Sequence, residues 1–194
     1  MFDVFLTCLF LCTLLAYRSA WRGSARAWAG VGLFTGLGVL TKSALGLFPL
    51  VVVALHTLWC GRARRALAGR AWLAPLVCVA VPLPWYVFQL ASHHDAFVRE
   101  HIAWLLVQRG LGTGYEASSP SSPFGYMREL AATYWPWLPL ALAGLWLTTR
   151  AAFSPPDARD FSDRDGSRLV LLWLVVVLGV LSLAHEKKIG RAHV

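Results

Sequence analysis

Charge is what this sequence has least of. Only 14% of its 194 residues are Asp, Glu, Lys or Arg while 57% are hydrophobic, against roughly 25% charged in an ordinary soluble domain. Its longest polar interval, from about Ser92 to Arg128, is too short to bury a sizeable core. A soluble domain of useful size is therefore excluded. Cysteine patterning is missing as well. Cys8, Cys12, Cys60 and Cys78 lie in or at the ends of apolar runs, with no CxxC and no flanking His, so disulfide and metal readings fall away and they read as small apolar fillers. The start lacks positive charge: the only early ionisable residue in MFDVFLTCLFLCTLL is Asp3, where a signal peptide carries a basic n-region. That stretch reads as a membrane span. Lysine is scarce, 3 against 15 arginines, which suggests a GC-rich genome and says nothing about fold.

What is present is a series of apolar runs separated by short Arg-rich connections. About 20 apolar residues cross a bilayer at roughly 1.5 Å each, and fewer suffice where the surroundings thin. The expectation is an all-α polytopic membrane protein with six spans, at roughly 3–18, 27–41, 44–60, 71–90, 131–149 and 168–185. The second and third are short, and one long helix interrupted near Lys42 is the alternative. Loop charge favours six, because short cytoplasmic loops collect Lys and Arg. Alternate connections then hold Arg18, Arg22 and Arg26, next Arg62, Arg64, Arg65 and Arg70, and last Arg150, Arg159, Arg164 and Arg168. Eleven of the eighteen basic residues thus share one side.

The opposite, outer face gathers Asp3, Lys42, the Ser92 to Arg128 loop with HHDAFVREH, Arg109, Glu116 and MRE, and finally Lys187 and Lys188. Any one of these alone is as well explained by snorkelling to the headgroups. Convergence on one face favours a site, with basic side chains suited to a phosphate and a carboxylate able to act as general base. Trp85 and Tyr86 after Pro84, and Tyr134, Trp135 and Trp137, fit an aromatic belt. The prolines of VPLPW break a helix where backbone can line a cavity. Glycines in GVGLFTGLG sit at helix-packing spacings, and with no strand there is no phosphate-cradling loop for a nucleotide sugar. The inner stretch TTRAAFSPPDARDFSDRDGSR reads as a disordered, solvated connector, and its four aspartates match no calcium-loop pattern.

The order Asp3 at a span entrance, GLGVLTKSALGLFP, PLPWY, FVREHIAWLLVQRG with PFGYM, YWPWLPL and SLAHEKK resembles the membrane glycosyltransferases of the GT-C superfamily. The similarity covers almost the whole chain and is greatest to the branch of the bacterial aminoarabinose transferase and the dolichyl-phosphate-mannose protein mannosyltransferases. No single motif is decisive; their order and spacing carry the weight. The resemblance implies an enzyme that takes a sugar from a polyprenyl-phosphate carrier and transfers it to a lipid (lipid A-like) or protein acceptor. It implies no cofactor, leaving a divalent-metal requirement open, and no nucleic acid. It places the enzyme among the lipids of the bacterial inner membrane with the active site facing the periplasm or exterior. By position, Asp3 matches a proposed active-site carboxylate, and Lys42 the lysine of an LTKG-like motif in which Ser43 replaces glycine. A structural role for Lys42, holding a tight turn, is about as well founded. Lys187 and Lys188 match a late basic residue near the carrier phosphate, and His101 and Arg109 the His and Arg of the outer loop.

Members of the resembled family carry an earlier span and an acidic first outer loop, and continue beyond the late lysine. The expectation is therefore a partial transmembrane domain over residues 1–188, inactive by itself. IGRAHV, residues 189–194, can be encoded by ATC GGA AGA GCA CAC GTC, the start of a widely used short-read sequencing adapter, and is expected to be adapter-encoded. A transporter or flippase is the alternative of a different class, since it too places charges in membrane cavities. A non-enzymatic membrane scaffold is a third.

Overall fold

The computed structural model describes residues 2–99, 101, 128, 131–154 and 163–183. Among them every regular element is helical. The α-helices of six or more residues are α1 (Phe2–Trp21), α2 (Ala25–Lys42), α3 (Phe48–Trp59), α4 (Ala63–Ala68), α5 (Leu73–Ala80), α6 (Leu83–Ser92), α7 (Leu138–Ala152) and α8 (Asp163–Leu183). Three segments among the described residues are long and apolar enough to cross a bilayer: Val4–Trp21, Ala25–Trp59 and Leu73–Ser92. The chain is an all-α membrane protein.

The 35-residue segment Ala25–Trp59 is not one straight rod. α2 ends at Lys42, Ser43 takes φ +48°, and a 3-10 turn over Ser43–Leu47 leads into α3, which opens with Pro49 in its first turn. The turn is tight because two glycines meet. A Cβ on Gly46 would land on the Gly38–Val39 backbone, so only glycine allows the reversal to lie against α2. Val52 and Val53 of α3 then join Trp28 and Val31 from the start of α2 and Tyr17 from the end of α1 in one buried cluster. The break expected near Lys42 is therefore a chain reversal, with arms of about 27 Å and about 18 Å at 1.5 Å per residue.

Small residues set how closely the helices approach. In lipid, apolar area gives little drive for helix association, so packing contacts must supply it. Gly30 faces the Ala16 Cβ at 3.3 Å, counted from where its own Cβ would stand. A Cβ on Gly32 would strike the Ala74 carbonyl oxygen, and one on Gly36 would lie 2.8 Å from the Val81 Cβ. The Gly32-x-x-x-Gly36 stripe thus seats α5 directly on the α2 backbone. Thr13, Thr35 and Thr57, all buried, hydrogen-bond to the carbonyls of Leu9, Val31 and Val53 at 2.9, 2.8 and 2.7 Å, so these three hydroxyls enter the apolar interior satisfied. α5 and α6 make up the span expected at 71–90, divided at Val81–Pro82 because the prolines at 82 and 84 cannot continue the ladder.

At both ends the connector expected to be disordered departs from that reading, while its middle, residues 155–162, lies outside the described residues. Residues 148–152 complete α7, and Asp163 to Arg168 form the first turns of α8. Two carboxylates in a first turn favour a helix N-terminus through its dipole. Asp165 is only 5% exposed, so it is not the solvated loop residue expected. The Arg168 guanidinium donates its Nε–H to the Ala152 carbonyl at 2.9 Å, satisfying an acceptor at the end of α7.

Candidate functional site

α1 and α2 run antiparallel, so Asp3 in the first turn of α1 lies at the same end of the bundle as Lys42 in the last turn of α2. Leu6, one turn beyond Asp3, approaches Gly38, one turn before Lys42. Lys42 is exposed. Beside it, Ser43 Oγ stands 3.4 Å from His101 Nε2. The same nitrogen is 3.3 Å from the Tyr86 hydroxyl. Phe97 stacks on the imidazole with centroids 5.0 Å apart and planes 10° from parallel, and Trp85 meets it edge-on at 5.6 Å. Three sequence motifs therefore converge: LTKSALG supplies Ser43, PLPWY supplies Trp85 and Tyr86, and FVREH supplies Phe97 and His101. Trp85 and Tyr86 are not accounted for by an aromatic belt alone, because they wall the histidine. Arg109, Lys187 and Lys188 lie outside the described residues.

At the other end sits a polar cluster that no motif announced. His56 is fully buried, with Nε2 2.8 Å from the Asp165 carbonyl and Nδ1 2.8 Å from the Tyr17 hydroxyl. A carbonyl only accepts, so Nε2 carries the proton and donates; in a neutral ring Nδ1 then accepts from Tyr17. The Thr57 hydroxyl lies 3.0 Å from the Tyr17 oxygen, its single proton shared between that oxygen and the Val53 carbonyl. Cys60 Sγ lies 3.6 Å from His56 Nε2 and 3.7 Å from Asp165 Oδ1. Trp21 tilts over the His56 ring at 5.0 Å, and the Arg62 guanidinium caps Trp21 at 4.4 Å. This cluster ties α1, α3 and α8 together. Among the described residues no three His, Cys, Asp or Glu side chains are grouped to hold a metal ion.

Relatedness to curated proteins is extensive along this chain. The undecaprenyl phosphate-alpha-4-amino-4-deoxy-L-arabinose arabinosyl transferase of Pseudomonas paraeruginosa is 34% identical over 177 residues, 85% of this chain and 28% of that protein. The transferase of the same name from Pseudomonas aeruginosa is 33% identical over 177 residues, again 85% and 28%. Transferase 1 of Pseudomonas fluorescens is 30% identical over 171 residues, 86% and 28%. The chain is similar, over about 85% of its own length, to one segment of these aminoarabinose transferases.

It spans somewhat over a quarter of the length of the transferases it matches. No family model matches the chain, and no solved structure does. Within this segment, the structure brings together the Lys42–Ser43 turn and His101 and sets Asp3 at the same end. Sequence reasoning missed Tyr17, His56 and Asp165. One signal was available: a His–Thr pair inside VVVALHTLW is an ionisable residue in an apolar run, which calls for a named partner.

Proposed function

We propose that the chain is the partial transmembrane domain, over residues 1–188, of a membrane glycosyltransferase, and that the whole enzyme transfers a sugar of the aminoarabinose type from undecaprenyl phosphate to a lipid acceptor on the outer face of the inner membrane. One observation carries this reading: in a chain 34% identical to an arabinosyl transferase, the Lys42–Ser43 turn meets the His101 aromatic cluster at the end where α1 begins. The six-span arrangement with a longer outer loop belongs to the same proposal. It is supported by the contacts of Arg62 with Trp21 and of Arg168 with Trp59 and Ala152, which join the Arg-rich connections at the end opposite Lys42.

The reaction is a displacement at the anomeric carbon. An acceptor hydroxyl attacks, the bond from that carbon to the phosphate oxygen breaks, and the polyprenyl phosphate leaves with the electron pair. Asp3 takes part as the acidic group near the acceptor, removing its proton. Lys42, Arg109, Lys187 and Lys188 offset the phosphate charge, which grows as the bond breaks, and preorganised cations are most effective against developing charge. His101, its ring held by Phe97 and its Nε2 edge by Ser43 and Tyr86, presents a fixed polar edge beside Lys42. Apolar walls from Trp85 and Phe97 suit a polyprenyl chain.

The test is sugar transfer in membranes carrying the full-length protein, given undecaprenyl-phosphate-linked aminoarabinose and read as the mass gain of the lipid acceptor. Transfer lost in Lys42→Ala and Asp3→Asn supports the assignments. No transfer by the parent protein overturns the reading, and unchanged transfer in either variant removes that residue from the mechanism.

A further inference from the structure

Between the turn that follows α1 and the short helix α4 lies a cavity of about 130 Å³, lined by Trp21, Gly23, Trp28, Arg62, Arg65 and Ala66 among others. That volume is close to engineered cavities that admit a benzene-sized molecule, and a phosphate group is no larger than such a ring. Its walls are of two kinds. Trp21 closes the apolar segment Val4–Trp21 and Trp28 opens α2, so indole surface marks the bilayer boundary. Arg62 and Arg65, one turn apart at the start of α4, bring two guanidinium groups to the same space. Arg62 is aligned by its stacking on Trp21 at 4.4 Å. Gly23 at φ +100° forms the turn that leaves the mouth open, a conformation that side-chain-bearing residues rarely adopt.

Among the described residues no carboxylate pairs with the charge of this pocket. Neither Arg62 nor Arg65 forms an ion pair among the described residues. No Asp or Glu occurs between residues 4 and 94, a stretch that carries all of the first seven arginines. The nearby Asp165 carboxylate is directed at Cys60 and Arg164, at 3.7 and 3.8 Å. Two preorganised arginines beside an apolar wall form a site for an anion with an apolar attachment.

We propose that this cavity is a binding site for a phosphate ester, with Arg62 and Arg65 on the phosphate oxygens and Trp21 and Trp28 against the carbons of the esterified group. It lies at the end of the bundle opposite Lys42 and His101 and is separate from the transfer site. Anionic phospholipid in the adjoining leaflet and a soluble phosphate ester share this chemistry.

Native mass spectrometry of the full-length protein, released from phosphatidylcholine nanodiscs with or without phosphatidylglycerol, distinguishes the sources. A parallel titration uses glycerol 3-phosphate with tryptophan emission as the readout. Losing a charge-assisted contact corresponds to roughly tenfold weaker binding. Arg62→Gln/Arg65→Gln is expected to lose one retained phosphatidylglycerol, or at least roughly tenfold in affinity. Ala66→Leu, which fills the cavity and keeps every charge, is expected to do the same. Arg64→Gln/Arg70→Gln removes equal charge from outside the lining and is expected to keep the lipid. Arg65→Gln alone, at an exposed position, gives a milder form of the test should loss of the Arg62–Trp21 contact impair folding. Glycerol 3-phosphate binding without lipid retention, lost in the same variants, supports the site with a soluble occupant. Binding of neither probe, or equal loss in the Arg64/Arg70 variant, overturns the proposal.

Discussion

Replacing Tyr17 with Phe is the sharpest perturbation of the buried cluster. The ring is fully enclosed, and Phe keeps its edge-on contacts with Trp21, Trp28 and His56 at 5.6, 5.7 and 5.6 Å. What disappears is the hydroxyl that donates to His56 Nδ1 at 2.8 Å. The Thr57 hydroxyl retains the Val53 carbonyl at 2.7 Å, so it is not stranded. A hydrogen bond contributes about 0.5–1.5 kcal/mol net, and cycles between membrane helices average about 0.6 with an upper end near 1.7. Tyr17→Phe is therefore expected to cost about 1 kcal/mol, or about a fivefold shift in the unfolding equilibrium. His56→Ala also removes buried ring volume and is expected to cost about 3 kcal/mol. Reversible unfolding by SDS in mixed micelles measures both variants and the double variant. The coupling energy from the cycle should be about 1 kcal/mol. A Tyr17→Phe cost below about 0.3 kcal/mol, or strict additivity with His56→Ala, would refute the reasoning that the hydroxyl–imidazole bond ties α1 to α3.

Three further outcomes follow from the same contacts. Asp165→Asn should cost less than Tyr17→Phe in the SDS titration, because it keeps the backbone carbonyl of residue 165 that His56 holds. Gly36→Val should lower the unfolding midpoint far more than Gly144→Ala. The first meets Val81 and the Cys78 carbonyl within 3.0 Å, whereas the second meets nothing within 4 Å and should gain about 0.5–1 kcal/mol of helix propensity. In the full-length enzyme, Tyr86→Phe should reduce sugar transfer severalfold and His101→Ala more than that. Equal activity of the parent and His101→Ala would remove the aromatic cluster from the site.

Some of this was legible in the residues themselves. Gly and Pro in LTKSALGLFP mark the reversal after α2, the GVGLFTGLG spacing marks the seat for α5, and Pro82 and Pro84 mark the division of the third apolar segment. These signals are local, carried by backbone permission or prohibition within a few residues. The rest depends on long-range contact. Tyr17 and His56 are 39 positions apart, and His56 reaches residue 165 across 109, so no periodicity could pair them. Asp165 reads as one more loop carboxylate until α8 buries it. Trp85 and Tyr86 have the composition of an interfacial belt, and only the approach of His101 gives them a second task.

The bend at Pro82 divides that apolar segment into halves held very differently. α5 is clasped by Gly32 and Gly36, with Ala74 and Cys78 buried, whereas α6 buries no residue at all. Trp85 and Tyr86 ride on the half without buried positions, and their histidine approaches the reversal after α2 at Ser43, 3.4 Å away. Swinging α6 outward would break that contact and leave the α2–α5 interface intact. The bend thus gives one apolar segment two grades of attachment: a half clasped on the α2 backbone, and a half that reaches the end of that helix through its histidine.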